Sequence, residues 1–441
     1  MVDMNLRPYQ LEDAKTLAKS KALYYVGDMG IGKTATSLTA AKKTGAQRIL
    51  VICPAVAMNN WAREVAKWWP EATVEVAQNL GAFRTEAQIH VIGYDAMSRT
   101  CDLRGYVMGT KWDLLICDEA HYMKGIGSNR TYMILGPNGL HTRCKQVWLL
   151  SGTPMPNNAG DLYPALSALA ANSINKMGTN RPMTKEEFEA YFCEYRDTVY
   201  GRQVVKSKNL DVLKSRTKGF FLRRRKSEVL KELPPVTVST VELSGFVPQN
   251  VIDQIEEAMA GVVDPLSPVE DIVLALQAET TSLAAVRRLT GLAKANLAAE
   301  HVRMRLNGGE PKIVVFAHHH DVIEDLLTHL KDFNPVALSG KTPPKGRDNA
   351  IDQFQNNPKC RVFIGQIQAA GTAITLTAGN WVVMAESDWV PANNLQALSR
   401  CHRIGQANPV FVEFLALPGS IDYTIQRALA RKSADIDYMF A

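Results

Sequence analysis

Gly27-Asp28-Met29-Gly30-Ile31-Gly32-Lys33-Thr34 is the segment that most restricts how this chain can fold. It fits G-x-x-x-x-G-K-[ST], a pattern that wraps phosphates only when it joins a strand end to a helix start. The flanks meet that condition: residues 22–26 are an apolar run with strand character, and residues 34–43 have helical apolar spacing. In that setting Gly27, Gly30 and Gly32 let backbone N–H groups approach a polyphosphate, and the helix N-terminus adds a favourable dipole. Lys33 reaches the β/γ-phosphates and the Thr34 hydroxyl ligates Mg2+. A chance glycine-rich turn would lack these flanks.

Short β-branched apolar runs alternate with helical patterns around the loop. Strands are predicted at residues 22–26, 48–53, 89–93, 114–117 and 147–150, with helices at 34–43 and 60–68 between them. Such alternation builds βαβ units and a parallel sheet. The pattern restarts with strands at 313–316, 335–338, 362–365, 381–385 and 410–415 and helices at 321–330 and 347–354. The chain is therefore α/β with two lobes. Residues 186–192 and 210–231 read as helical, the latter carrying Arg223, Arg224, Arg225 and Lys226. Pro234 and Pro235 break that pattern and mark the boundary. The expected division is 1–233, with a helical insertion at about 160–230, and 234–441, with another at about 249–307.

The chain is long enough for this, at 441 residues with 46% hydrophobic content. A net charge of +6 permits nucleic-acid binding without establishing it. The seven cysteines form no C-x-x-C pair, which argues against a zinc site or a disulfide framework. The N-terminal residues lack the apolar core of a secretory signal, and no apolar stretch reaches the roughly 20 residues of a membrane span. The expected setting is intracellular and reducing: cytoplasmic or nucleoid-associated, or nuclear in a eukaryote. No membrane contact is expected.

Trp112-Asp113-Leu114-Leu115-Ile116-Cys117-Asp118-Glu119-Ala120-His121 ends an apolar strand with two acids. An isolated acidic pair after a strand is usually solvated loop. Beside a phosphate loop, Asp118 can hold Mg2+ through its water shell and Glu119 can orient and deprotonate an attacking water. Late in the chain, Arg400 and Arg403 are three apart. On a helix they would share a face, either as solvated charge or as two guanidiniums directed at a γ-phosphate.

Several segments together resemble the Swi/Snf-type helicase-like ATPases of helicase superfamily two. They are Leu6-Arg7-Pro8-Tyr9-Gln10, the phosphate loop, Asp118-Glu119-Ala120-His121 and Ser151-Gly152-Thr153-Pro154 with Asn157. Phe221-Leu222-Arg223-Arg224 through Leu233-Pro234-Pro235 and His402-Arg403-Ile404-Gly405-Gln406 follow in the family's order. Phe316-Ala317-His318-His319 and the segment from Ala369 to Thr377 look most similar to the annealing-helicase, fork-remodelling branch.

The resemblance implies two RecA-like P-loop NTPase lobes with ATP and Mg2+ between them. It implies that Gln10 reads adenine, that Arg400 and Arg403 are arginine fingers and that Gln396 lines the cleft. His121 would relay between the nucleotide and Ser151-Gly152-Thr153. Pro54, Tyr94, Ser339, Gly340, Gly371 and Thr372 would face a nucleic-acid backbone. Ala373 and Ser399 depart from the family's common Gly and Asp.

The implied partner is double-stranded or forked DNA, with a protein partner for targeting and a monomeric motor. The leading expectation is an ATP-dependent duplex-DNA translocase or remodeller. A strand-separating DNA or RNA helicase and an ATP-gated clamp with low turnover remain open alternatives. His318-His319-His320 is not read as a metal site, because alternate side chains at a strand end face opposite ways. Trp61, Trp68 and Trp69 read as packing. Arg223 to Lys226 read by default as a solvated charged face, while the resemblance implies as an equal alternative a role near DNA or the lobe interface.

Overall fold

The computed structural model describes residues 6–77, 86–198, 201–245, 247–260, 281–370, 374–423, 425–426 and 429. The chain forms two compact units. The first holds the described residues up to Glu194 together with Ser207–Lys231; the second holds Tyr195–Lys206 and the described residues from Glu232 onward.

The first unit is built on β1 (Ala22–Gly27), β2 (Ile49–Cys53), β3 (Val74–Val76), β4 (Ile89–Gly93), β5 (Trp112–Asp118) and β6 (Cys144–Ser151). In sequence, β7 (Cys193–Thr198) and β8 (Gly201–Ser207) come next as a separate two-stranded sheet, most of which (Tyr195–Lys206) belongs to the second unit; β9 (Phe221–Arg224) belongs to the main sheet of the first. That sheet has the order β3-β4-β2-β5-β6-β1-β9, and every pairing in it is parallel. Every residue of β2 and β4 is buried, as strands covered on both faces must be. Helix α1 (Pro8–Lys19) turns Gln10, Asp13, Ala14 and Leu17 inward at helical spacing. It packs against α2 (Lys33–Thr44), which ends at Gly45 with φ 71°.

The second unit adds β10 (Val236–Glu242), β11 (Ile313–Ala317), β12 (Val336–Leu338), β13 (Val362–Gln366), β14 (Trp381–Met384) and β15 (Val410–Ala416). They form a second parallel sheet, β10-β15-β14-β11-β13-β12. Alternate residues feed two cores: Val315 and Ile364 pack on one face, Phe316 and Phe363 on the other. The helix Thr281–Asn307 is held to this unit by buried charge as well as by apolar contact. Lys294 Nζ meets both Asp422 carboxylate oxygens at 2.8 Å, and Glu413 accepts from His301 (2.7 Å), Trp381 (2.8 Å) and Arg305 (2.5 Å).

Both lobes are thus α/β with parallel sheets. Five strands were not foreseen: β3, β7, β8, β9 and β10. The largest departure is at 210–231, where one helix was expected. The helix Leu210–Arg216 stops, Gly219 takes φ 93°, and Phe221–Arg224 becomes an edge strand beside β1. Consecutive aromatics favour the strand, and pairing with β1 outweighs helical spacing. The segment expected as a helical insertion at about 160–230 is accordingly mixed, with β7, β8 and β9 among its helices. Among the described residues, no helix is long and apolar enough to cross a membrane.

Candidate functional site

The strand pairing brings one set of residues to the carboxyl end of the first sheet. Val26 pairs with Ser151 on one side and Arg223 on the other, and Asp118 pairs with Leu150. Ligands of open α/β sheets bind at this end. Gly27 closes β1, the loop turns through Gly30 (φ 86°) and Gly32 (φ 81°), and Lys33 opens α2. The loop crest is clamped from α1: Tyr9 Oη and Gln10 Nε2 both donate to the Ile31 carbonyl, at 2.7 and 3.2 Å. A β-carbon on Gly32 would lie 2.4 Å from Gln10 Nε2 and displace that side chain's end, and the residue's φ of 81° is what favours glycine there. Lys33 Nζ donates to the Gly27 and Asp28 carbonyls at 2.7 and 3.3 Å. Burial lowers its proton affinity, against the pull of Glu119, Asp118 and Asp28.

Asp118 and Glu119 leave β5 in different directions because Glu119 is left-handed, with φ 50° and ψ 50°. A non-glycine residue held there carries strain of order 1–3 kcal/mol, which active sites tolerate. Asp118 Oδ2 accepts from Trp61 Nε1 at 2.9 Å, and its Oδ1 accepts from the Glu119 amide at 3.0 Å. Burial, then repulsion from Glu119, pushes the Asp118 carboxyl up to about 6. His121 Nδ1 lies 3.3 Å from Glu119 Oε2 and 3.0 Å from Ser151 Oγ, which also accepts from the Thr153 amide at 3.1 Å. The histidine therefore joins Glu119 to Ser151-Gly152-Thr153.

The arginines of β9 are not a solvated face. Strand alternation sends Arg223 to the phosphate loop and Arg224 to α1. Arg223 Nη2 is 2.9 Å from Asp28 Oδ1, and the Lys226 amide donates to Asp28 Oδ2 at 2.8 Å. Arg224 binds Asp13 at 2.7 Å and Glu12 at 3.3 Å, while Tyr25 Oη donates to Asp13 at 2.8 Å. Trp61 and Arg223 are the site residues whose contacts, with Asp118 and Asp28, the sequence did not assign. Neither has a local signal, because each meets its partner through long-range pairing.

Cys53 pairs with Gly93, so Pro54 and Tyr94 leave the sheet side by side. The Tyr94 ring is buried, however. Its hydroxyl donates to the Asp118 carbonyl at 2.9 Å, and its ring stacks on Tyr122 at 5.6 Å. In the second unit Ser339 and Gly340 follow β12, and the Gly340 amide donates to Gln366 Oε1 at 2.9 Å. Gly371 and Thr372 lie outside the described residues.

Gln396 is on the helix Pro391–Leu398, but Arg400 and Arg403 lie beyond its end. They do not share a helix face. The helix stops because its outgoing groups find other partners. The Arg400 carbonyl accepts from Leu376 N at 3.0 Å, and buried Gln406 donates through Nε2 to Cys401, Thr377 and Gly379 carbonyls. Arg403 Nη1 donates to the Ile374 carbonyl at 2.9 Å, and His402 Nε2 lies 2.9 Å from the Pro234 carbonyl. The two sequence runs 233–235 and 402–406 therefore meet in space. His319 Nδ1 lies 2.7 Å from Glu386 Oε1, which leaves that ring in an acid pair.

A metal fits the first-lobe residues only in one way. Among the described residues, no three His, Cys, Asp or Glu side chains are placed to hold an ion alone. Mg2+ needs no such cage; it takes one or two carboxylates, waters and substrate phosphates. The Asp118 carboxylate and the Thr34 hydroxyl are oxygen donors of that kind, and a divalent cation would relieve the burial that raises Asp118.

The sequence matches the family described as SNF2-related domain over residues 20–246 and the Helicase conserved C-terminal domain over 293–405. The DNA annealing helicase and endonuclease ZRANB3 of Bos taurus is 28% identical over 445 residues, covering 97% of this chain and 40% of that protein. The Xenopus tropicalis protein named SWI/SNF-related matrix-associated actin-dependent regulator of chromatin subfamily A-like protein 1 is 26% identical, covering 95% and 43%. The chain thus spans about two fifths of the length of these curated relatives. A solved structure described as the Sulfolobus solfataricus SWI2/SNF2 ATPase core in complex with dsDNA is 23% identical, with a TM-score of 0.46 and coverage of 99% of this chain and 94% of that one. With more than half of its length inside the SNF2-related domain and the helicase C-terminal domain following it, the chain belongs to the SNF2-related family of helicase-like ATPases.

Proposed function

We propose that the chain is an ATP-dependent motor on double-stranded DNA, hydrolysing ATP to shift its grip along the phosphate backbone. The observation that carries the reading is the first-lobe constellation: Lys33 at the loop, Asp118 and Glu119 at the end of β5, and His121 joining Glu119 to the Ser151 turn. Lys33 neutralises the β/γ-phosphates, Glu119 takes the proton of the attacking water, and Gln10 lies beside the loop as the adenine reader. Thr34 and Asp118 hold Mg2+, which supplies charge neutralisation at the phosphates.

Arg400 and Arg403 supply positive charge to the γ-phosphate in the transition state, with Gln396 beside them. Pro54, Ser339, Gly340, Gly371 and Thr372 contact nucleic-acid phosphates. Tyr94 contributes from below, through its hydroxyl on the Asp118 carbonyl. The relatives named for DNA annealing and for chromatin regulation support DNA as the partner. Backbone contacts of this sort are sequence-tolerant and salt-sensitive.

The test compares ATPase rates with duplex, single-stranded, forked and RNA ligands. Duplex or forked DNA is expected to raise the rate most, and the stimulation should fall as salt rises. An unchanged rate with duplex DNA overturns the reading. Strand displacement on tailed duplexes would favour a helicase instead. Arg403→Ala is expected to leave ATP binding largely intact while hydrolysis falls by about 10³-fold or more, as for other arginine fingers; retained turnover removes Arg403 from that role.

A further inference from the structure

The two neighbouring arginines of β9 differ in how their donors are used. Arg224 gives two nitrogens to carboxylates, Nε and Nη2 to Asp13, with Nη2 also beside Glu12. Arg223 gives one nitrogen, Nη2, to Asp28. Its Nε and Nη1 are buried and meet no hydrogen-bond acceptor among the described residues. Buried guanidinium N–H groups are costly to leave unpaired, and the planar fork matches a carboxylate or phosphate edge. Among the described residues, no second carboxylate is offered to Arg223.

Its position is also specific. Arg223 pairs along the sheet with Val26, immediately before the loop's first glycine. Its charge is felt at Lys33, whose proton affinity it lowers. Two cations converging on one loop repel each other unless an anion lies between them. The loop itself is built to receive phosphate.

We propose that Arg223 is a direct phosphate ligand of the nucleotide, a second cation of the first lobe acting beside Lys33 at the β/γ end. Asp28 holds the guanidinium in place by one nitrogen and leaves the other donors for phosphate oxygens. The inference rests on the ATP site proposed above but not on the choice of nucleic acid.

The test measures binding of ATP and AMP without nucleic acid, using fluorescent analogues, for wild type, Arg223→Ala, Arg223→Gln, Arg223→Lys, Asp28→Asn and Lys33→Ala. Thermal melting of each variant monitors folding. Arg223→Ala and Arg223→Gln are expected to weaken ATP about ten- to hundredfold, the loss of one charge-assisted hydrogen bond, with AMP unchanged. Arg223→Lys should recover part of the affinity, and Asp28→Asn, which removes only the anchor, should weaken ATP less than Arg223→Ala does. An equal loss for ATP and AMP overturns the proposal. So does an Asp28→Asn variant as weak as Arg223→Ala, since Arg223 would then only anchor the loop. Arg223→Gln covers the case in which Arg223→Ala fails to fold. Unchanged ATP binding in Lys33→Ala would instead sink the ATP site itself.

Discussion

Glu119→Gln is expected to lower ATP turnover by about 10²- to 10⁴-fold, the range that a positioned general base contributes, with ATP affinity within a few-fold of wild type. The amide has the shape of the carboxylate and can still lie beside His121, but it cannot accept a proton from water. The substitution leaves the left-handed backbone position at Glu119 in place, so the carboxylate's basicity is tested apart from its position. Single-turnover hydrolysis beside a binding titration separates the two effects. A variant that turns over at the wild-type rate would remove Glu119 from the chemistry. Equal and negligible rates in both proteins would favour a clamp that uses ATP without hydrolysing it.

Asp118→Asn is expected to abolish magnesium-dependent hydrolysis and, at neutral pH without nucleotide, to make the protein more stable. Burial and Glu119 raise the Asp118 carboxyl from 3.8 to about 6. A carboxyl raised on folding stabilises the folded state below its unfolded value, and that contribution is lost as pH rises through the folded value. Above pH 6 the wild type carries an ionised, partly buried carboxylate next to another. Two units correspond to about 3 kcal/mol, and residual solvent contact reduces the expected gain to about 2 kcal/mol. Asparagine keeps an acceptor for Trp61 Nε1 and carries no charge. Denaturant melts at pH 7.5 and pH 4 check this: the gain should be present at the first and absent at the second. A pH-independent difference would show that something other than ionisation separates the variants. The same proton competes with Mg2+, so the wild type's magnesium requirement should rise as pH falls through about 6.

Much of the fold could be read from the sequence because its signals are local. The strands Ile89–Gly93 and Ile49–Cys53 are buried on both faces and so appear as unbroken apolar runs. The phosphate loop and Asp118-Glu119 were visible for the same reason: each lies at the end of such a run. The edge strands were harder. β9 contains two arginines and looks helical until β1 is placed beside it. β10 reads Val-Thr-Val-Ser-Thr-Val-Glu, a β-branched alternation that could have been recognised. The contacts that tune the site were not legible at all. Trp61 to Asp118 and Arg223 to Asp28 join residues far apart in sequence, and only the order of strands brings them together. Arg400 and Arg403 were correctly spaced for a helix, but tertiary hydrogen bonds to Leu376 and Gln406 end it first.

The sheet order has a consequence for biosynthesis. β1, the strand that carries the phosphate loop, has β6 and β9 as its two neighbours. Both emerge from the ribosome long after it. β4 and β5 flank β2 and the three can assemble first, while β1 waits for Cys144–Ser151 and then for Phe221–Arg224. Parallel pairing across such long intervals is slow and leaves apolar edges open in the meantime. The nucleotide pocket is therefore among the last parts of the first lobe to close, and a nascent chain that stalls before Phe221 presents Leu23, Tyr25 and their neighbours on an uncovered strand edge to chaperones and proteases.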